Sequence, residues 1–388
     1  MNDTSGGERL RRRLEALLGI PMTEGNAVDV YRNGDQIFPA MLDAIRGAEH
    51  TVDLMTYVYW SGAIAHEFAD ALAESAARGV RVRVLIDAVG GFKIEDGLVD
   101  RMTRDGVHLQ WFRKPWAKSP FKQNHRCHRK VLVVDEVAAF TGGVGIAEEW
   151  TGNARNAEEW RDTHVRVRGP AVDGVAAGFS QNWAEGDEPM YDDGVDRFPQ
   201  HEQCGNATIQ VVRGSASIGW DDMQTLFHVA LSSAQQRIRL TTAYFAPSRD
   251  FIDLLIGQAK NGVQVQVMLP GPGADKRVCQ LASESIYAEL VDGGVEVWNF
   301  QPSMLHAKIM TIDEELSVIG SSNFNRRSMD HDEEIALAIL DPEVTATLDL
   351  HYEDDLKRSR PIDLERWRAR GPAQRTLETA VQPIRRWL

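Results

Sequence analysis

The sequence predicts an α/β protein of two similar halves. Each is a mixed β-sheet flanked by helices, and the two are packed face to face about a pseudo-two-fold axis with one shared site. Three observations carry this. Short β-branched runs such as VRVRVLID (80–87), KVLVVD (130–135) and THVRVRG (163–169) alternate with helical stretches at 62–77 and 172–184. The same texture returns in VQVQVML (263–269), AKIMTID (307–313) and EIALAIL (334–340). The segments themselves also repeat: GVRVRVLID is echoed by GVQVQVMLP, DGVHLQW by GGVEVW, and HRKVLVVD by HAKIMTID. Through the last pair the separation is constant at 178 positions, from 128 to 306, 130 to 308, 135 to 313 and 142 to 320.

Taken in order, residues 1–26 form an amphipathic segment, with Leu10, Leu14, Leu17 and Leu18 on one helical face and Arg11, Arg12 and Arg13 beside them. Residues 27–184 are the first half. An acidic linker with Gly and Pro follows at 185–206; Met190, Tyr191 and Phe198 within it predict that it is partly packed. The second half spans 207–357, and a basic tail with Trp367 and Trp387 spans 358–388. Both terminal segments fit docking on a lipid surface, or simple packing onto the body.

The 388 residues carry 43 Lys+Arg against 57 Asp+Glu, a formal net charge of −14, which disfavours clamping of duplex nucleic acid by bulk charge. Three scattered cysteines exclude a disulfide framework and a Cys-based zinc site, so a reducing compartment is expected. No stretch approaches 18 consecutive apolar residues, so no transmembrane helix is expected. The N-terminal residues carry charges where a signal peptide needs its apolar core. His66–Glu67 begins like a zincin helix, but Asp70 stands where the second histidine would be, so no metal is expected.

The chemistry lies in the pattern H-x-K-x4-D, present as His128/Lys130/Asp135 and as His306/Lys308/Asp313. Each copy is followed by a Gly-rich turn, GGVG (142–145) and GSSN (320–323). In an extended segment residues i and i+2 share a face, so each histidine projects with its lysine. Two such pairs facing each other bring two imidazoles and two ammoniums to one small volume. A phosphodiester fits that inventory: lysines and turn donors neutralise phosphoryl oxygens, one histidine attacks phosphorus, and the other protonates the leaving alcohol. A nucleophilic histidine must be neutral at the attacking nitrogen and held in one tautomer by a carboxylate on the other. Each half offers a candidate downstream, Asp162 and Glu334, with Asp332 and Glu333 competing for the second role.

These paired motifs, with NHRCHRK (124–130), WRDTHVRVRGPAV (160–172), AYFAP (243–247), MLHAK (304–308) and GSSNFNRRS (320–328), resemble the phospholipase D superfamily. Within it the chain is most similar to the short bacterial cardiolipin synthases that lack transmembrane helices. The resemblance runs from about residue 27 to about residue 360. It implies a covalent phosphohistidine mechanism without cofactor or metal. Phosphatidyl passes from a glycerophospholipid, phosphatidylglycerol in the synthase case, to one histidine, and then to a second phosphatidylglycerol or to water. It places nucleophile and acid on His128 and His306, with His128 preferred as nucleophile. Lys130, Lys308, Asn323, Ser321 and Gly143 fall at phosphate-binding positions. Asp135 and Asp313 complete the catalytic motif, with bracing of the strands their expected part in it. The first half departs from the pattern, with Gly143 and Gly145 where the second has Ser321 and Asn323, so phosphate binding there leans on backbone N–H groups.

Residues 108–130 interleave Arg113, Lys114, Lys118, Lys122, Arg126, Arg129 and Lys130 with Trp111, Phe112, Trp116 and Phe121, without one Asp or Glu. The segment suits an anionic lipid interface, a single-stranded nucleic-acid groove, or a solvated loop whose rings pack inward. With the resemblance it makes an anionic membrane surface the expected partner and disfavours nucleic acid. The expected location is cytoplasmic, peripheral at the inner face of the cell membrane. Tyr57 and Tyr244, at the ends of matched strands, are read as lining the cleft or packing in the core, with the core preferred; His164 is expected in a structural role, and Cys127 as a thiol-sensitive neighbour of His128.

Overall fold

The computed structural model describes residues 6–114, 124–190, 197–215 and 221–383. In the first half the strands are β1 (Thr23–Arg32), β2 (Thr51–Thr56), β3 (Arg81–Asp87), β4 (His108–Phe112), β5 (Val131–Val134), β6 (Ala138–Gly142) and β7 (Thr163–Arg168). The second half supplies β8 (Ala207–Gly214), β9 (Arg237–Thr241), β10 (Gln264–Pro270), β11 (Glu296–Phe300), β12 (Ile309–Ile312), β13 (Leu316–Gly320) and β14 (Glu334–Leu340), with a short β15 (Ser359–Pro361) outside β11. The spatial orders, β1-β7-β6-β5-β2-β3-β4 and β8-β14-β13-β12-β9-β10-β11, are the same order written twice.

The halves meet edge to edge and not face to face. β1 pairs antiparallel with β8, at Thr23↔Ile209 and Asn26↔Ala207, so the described strands form one 15-stranded sheet with its pseudo-two-fold at the β1–β8 seam. An unpaired edge strand is a liability, and joining the two inner edges removes both.

Within each half the first crossovers are parallel: β2–β3–β4 and β9–β10–β11, joined by helices such as Ala63–Ala77 and Arg249–Lys260. Parallel strands are covered on both faces. That explains β3, whose VRVRV pattern reads as half-exposed yet is buried almost throughout. Arg83 is neutralised by Asp53 directly opposite on β2, at 2.7 and 2.8 Å, with its guanidinium 4.7 Å from the Phe179 ring centroid and 5.0 Å from that of Trp183. Those rings sit on the helix Val172–Trp183, where the sequence placed one.

The linker is partly packed. Phe198 lies against the central core, Arg197 pairs with Asp53 and Glu136, and Arg83 donates to the Met190 carbonyl; Tyr191 is outside the described residues. In the helix Gly6–Leu18, Leu10, Leu14 and Leu18 are buried in the second half's core beside Leu226 and Ala230, leaving Leu17 exposed. The apolar face offered for lipid docking is therefore spent on packing. So is Trp367, whose ring packs tilted against Tyr287 with centroids 5.1 Å apart, while Trp387 lies outside the described residues.

Both motif aspartates stand in hairpin turns away from the histidines, in the left-handed conformation that Asp tolerates, at φ 52° for Asp135 and 53° for Asp313. Asp135 accepts from the backbone N–H groups of Glu49, His50 and Thr51 at 3.0, 2.7 and 2.8 Å. Asp313 accepts from Gln235, Gln236 and Arg237 at 3.0, 2.8 and 2.8 Å. Each carboxylate thus ties the start of a parallel strand to the hairpin next to it. This corrects their inclusion among the catalytic residues. Asp135→Ala is expected to cost about 2–3 kcal/mol, since it orphans three donors of a charge-assisted network. Its turnover per folded molecule stays within twofold of wild type, as denaturant titration alongside initial rates would show.

Candidate active site

The site is built where the halves exchange backbone hydrogen bonds beyond the sheet. The extended segment before β5 docks on the residues before β14: His128 N–H donates to the Glu333 carbonyl at 2.9 Å and Glu333 N–H to the Arg126 carbonyl at 2.8 Å. The segment before β12 docks on the residues before β7 in the same way, with His306 N–H on the Arg161 carbonyl at 2.7 Å and Arg161 N–H on the Met304 carbonyl at 2.8 Å. Each histidine is thereby carried next to the carboxylate of the opposite half. His128 Nδ1 lies 2.9 Å from Glu334 Oε1, and His306 Nδ1 lies 2.8 Å from Asp162 Oδ2. Both carboxylates were legible in the sequence, but each serves the other half's histidine. Glu334 is selected over its neighbours because Asp332 turns to Arg327 at 3.1 Å, while Glu333 takes Ser215 at 2.7 Å and Arg129 at 3.5 Å.

The lysines project with their histidines as expected. Lys130 Nζ donates to the His128 carbonyl at 2.7 Å. Lys308 Nζ lies against the His306 ring, 3.0 Å from Nδ1 and 3.2 Å from Nε2, and also donates to the His306 carbonyl. Each ammonium acts on both imidazoles, which ties the four groups to one volume.

Burial dominates the electrostatics. It pushes His128 down to about 4 and His306 down to about 3, helped by the lysines and opposed by the carboxylates. Both rings are therefore neutral near pH 7. Burial works against ionisation of Asp162, but His306 and Lys308 outweigh it and hold the acid at about 2. An ionised carboxylate only accepts, so each Nδ1 carries the proton and each Nε2 keeps its lone pair. Burial also lowers Lys130 to about 8 and Lys308 to about 7.

The turn residues divide differently from expectation. Ser321 is fully buried, its hydroxyl donating to Glu334 and its N–H to the Ile335 carbonyl at 2.9 Å. It steadies the carboxylate and has no group left for phosphate. At the matching position, the Gly143 N–H donates to the Thr163 carbonyl at 3.3 Å, and an added Cβ would fall 2.2 Å from Asp162 Oδ1. Glycine there makes room for the carboxylate, which is the physical reason the motif departs from its twin. Asn323 keeps a buried side-chain oxygen without a partner.

Sequence reasoning missed the aromatic wall. Trp150 Nε1 donates to Asp162 Oδ2 at 2.9 Å, and its ring stands 5.1 Å from His306. Trp160 lies 5.5 Å from His306 and 4.5 Å from Trp150. A tryptophan in a short turn reads as core, and nothing in its spacing marks it. Tyr57 and Tyr244, expected in the core, are half-buried beside the site, 5.3 Å from His128 and 6.4 Å from His306. Cys127 is 1% exposed, and burial pushes its thiol up, so it is no reactive neighbour. His164 is buried with neither ring nitrogen bonded, in keeping with a structural role. Trp116, Lys118, Phe121 and Lys122 of the basic segment lie outside the described residues.

A duplicated α/β fold that places paired His–Lys sets at the junction of its halves is the phospholipase D-like arrangement. The same fold spans the crystal structure of a phosphatidylserine synthase from Haemophilus influenzae Rd KW20, with a TM-score of 0.75 at 12% identity over 98% of this chain and 100% of that one. The chain belongs to the cardiolipin synthase, PLD-like domain family, whose profile matches residues 41–171 and 228–356. It is 30% identical over 378 residues to cardiolipin synthase 2 of Bacillus anthracis, covering 96% of this chain and 72% of the relative. It is 32% identical over 355 residues to the probable cardiolipin synthase YwiE of Bacillus subtilis (strain 168), covering 91% and 70%. Among the described residues no helix is long and apolar enough to cross a membrane.

Proposed function

We propose that the protein is a phosphatidyltransferase that makes cardiolipin from two molecules of phosphatidylglycerol, releasing glycerol. The observation that carries this reading is the crossed pair of neutral histidines, each held by a carboxylate of the opposite half and each with its own lysine beside it. The family and its curated relatives supply the substrate class.

In the first step His128 Nε2 attacks phosphorus. The P–O bond to the leaving glycerol breaks, and His306 hands that oxygen a proton, leaving a phosphatidyl–histidine. His306, now neutral, takes the proton from the glycerol hydroxyl of a second phosphatidylglycerol, whose oxygen attacks phosphorus and frees His128. The bound phosphodiester brings the negative charge that lets His306 hold a proton despite its low value in the free protein. Lys130, Lys308 and the amide of Asn323 bind the phosphoryl oxygens as charge builds on them. His128 is the preferred nucleophile because its side chain is the more open, at 12% exposure against 6% for His306, which is walled by Trp150 and Trp160. That wall also limits water as a competing acceptor. The same reading places the protein at the inner face of a cell membrane as a peripheral protein.

The test is incubation with phosphatidylglycerol vesicles in EDTA, with lipid products resolved by mass spectrometry. Cardiolipin and glycerol in equal amounts support the reading. Phosphatidic acid alone makes the enzyme a hydrolase, and no lipid product removes the assignment.

The lowered lysines set a pH limit. Each must be protonated to bind phosphate and loses its proton as pH rises through about 7 for Lys308 and about 8 for Lys130. Burial depresses both from 10.5, so the loss falls in an accessible range. Through the lysines, kcat/KM, which reports the free enzyme, is therefore expected to decline about tenfold per unit between pH 7 and 8 and about a hundredfold per unit above pH 8. The kcat limb should lie higher, since bound phosphate restores the lysines' charge. A flat kcat/KM to pH 10 would contradict this.

A further inference from the structure

The loops that follow β3 and β10 occupy equivalent places in the two halves, at the carboxyl ends of parallel strands beside the site. The first carries Phe92, the most exposed large apolar side chain among the described residues at 71%, with Val89 at 43%. The second leads into Val278 at 36%. Each loop also offers a lysine set over an aromatic ring. Lys93 Nζ lies 3.9 Å from the Trp60 ring centroid and 5.8 Å from that of Phe92, and Lys276 Nζ lies 5.0 Å from that of Tyr244.

Each loop packs on aromatic rings that lead toward the site. Trp60 donates to the Gly90 carbonyl at 2.8 Å and stands 6.3 Å from Trp150, which stands 5.1 Å from His306. Tyr244 stands 6.4 Å from His306. Asp275 accepts from the Tyr244 hydroxyl at 2.8 Å, and Glu95 lies 3.4 Å from His66.

We infer that these two loops are the surface on which the protein sits on an anionic lipid bilayer, with Phe92 and Val278 entering the acyl boundary and Lys93 and Lys276 at the headgroups. The inference rests on the phospholipid reading of the site. It explains how a chain of net charge −14 meets a negative surface. Overall repulsion is overcome locally, by apolar insertion and cations gathered on the site's own rim.

The experiment is flotation of the full chain with vesicles of phosphatidylglycerol and phosphatidylcholine, for wild type, Phe92→Asp, Val278→Asp and, as a control, Leu350→Asp. Leu350 is equally exposed, at 68%, on the helix Pro342–Leu356. Phe92→Asp is expected to weaken vesicle partition at least about tenfold and Val278→Asp several-fold, with Leu350→Asp at the wild-type value. Turnover of a short-chain phosphatidylglycerol below its micelle concentration should change less than twofold in Phe92→Asp. Wild-type partition in Phe92→Asp, equal loss in Leu350→Asp, or failure of wild type to bind overturns the inference. So does a parallel loss of monomer turnover, which would assign Phe92 to the site. Partition is read without turnover. A protein that docks through Phe92 yet makes no cardiolipin would sink the proposed function and leave the docking surface standing.

Discussion

His128→Ala is expected to lower phosphatidyl transfer by about 10^4-fold or more and to abolish the covalent lipid–protein adduct. His306→Ala should lower transfer comparably, because glycerol is a poor leaving group unless it receives a proton. A phosphatidyl ester of p-nitrophenol separates the two. Its leaving group departs without a proton, so it should restore the first step in His306→Ala and not in His128→Ala. The adduct then accumulates on His128, where peptide mass spectrometry can locate it. Rescue in His128→Ala instead would exchange the two roles. Both rings lie beyond the ends of interior strands and pack against aromatic rings, so neither substitution should unfold the protein. A thermal melt of each variant checks this.

The second large effect follows from the crossing of the carboxylates. Glu334→Gln and Asp162→Asn each keep size and hydrogen-bonding capacity but no longer demand the Nδ1–H tautomer. Each is expected to lower transfer by about 10^4-fold. The crossing predicts which ring responds. In ¹⁵N spectra of the imidazoles, Glu334→Gln should shift the resonances of His128, and Asp162→Asn those of His306. If each variant perturbed the histidine of its own half, the arrangement described here would be wrong. Gly143→Ala should copy Asp162→Asn without touching the carboxylate, because the added methyl would lie 2.2 Å from Asp162 Oδ1. The matched change at Ser321 acts through Glu334, to which its hydroxyl donates.

Such an arrangement reaches the chain unevenly. The strand segments are legible because β-branched runs and their repetition are local properties: β3, β7 and β14 fall within a residue or so of the runs that predict them. The paired His-x-Lys sets are legible because strand alternation alone puts i and i+2 on one face. Asp135 and Asp313 could be read as braces only loosely, since their partners at 49–51 and 235–237 lie about 80 residues upstream. The terminal helix illustrates the opposite failure. An amphipathic pattern states that a face will be buried but not against what, and Leu10, Leu14 and Leu18 found the second half's core before any membrane.

By itself, then, the sequence determined the duplicated α/β architecture, the two His–Lys pairs, the two candidate carboxylates and the phospholipid family, because periodicity, spacing and motif are all written along one chain. Only the tertiary structure decided that the halves join edge to edge through β1 and β8, and that Glu334 holds His128 while Asp162 holds His306. It alone showed that Ser321 and Gly143 serve those carboxylates and not phosphate, and that Trp150 and Trp160 wall one half-site. The reason is common to all of these. Each depends on a contact between residues of different strands or different halves, and the free energy that selects one such contact over another comes from burial and hydrogen-bond satisfaction across the seam, which no local pattern encodes.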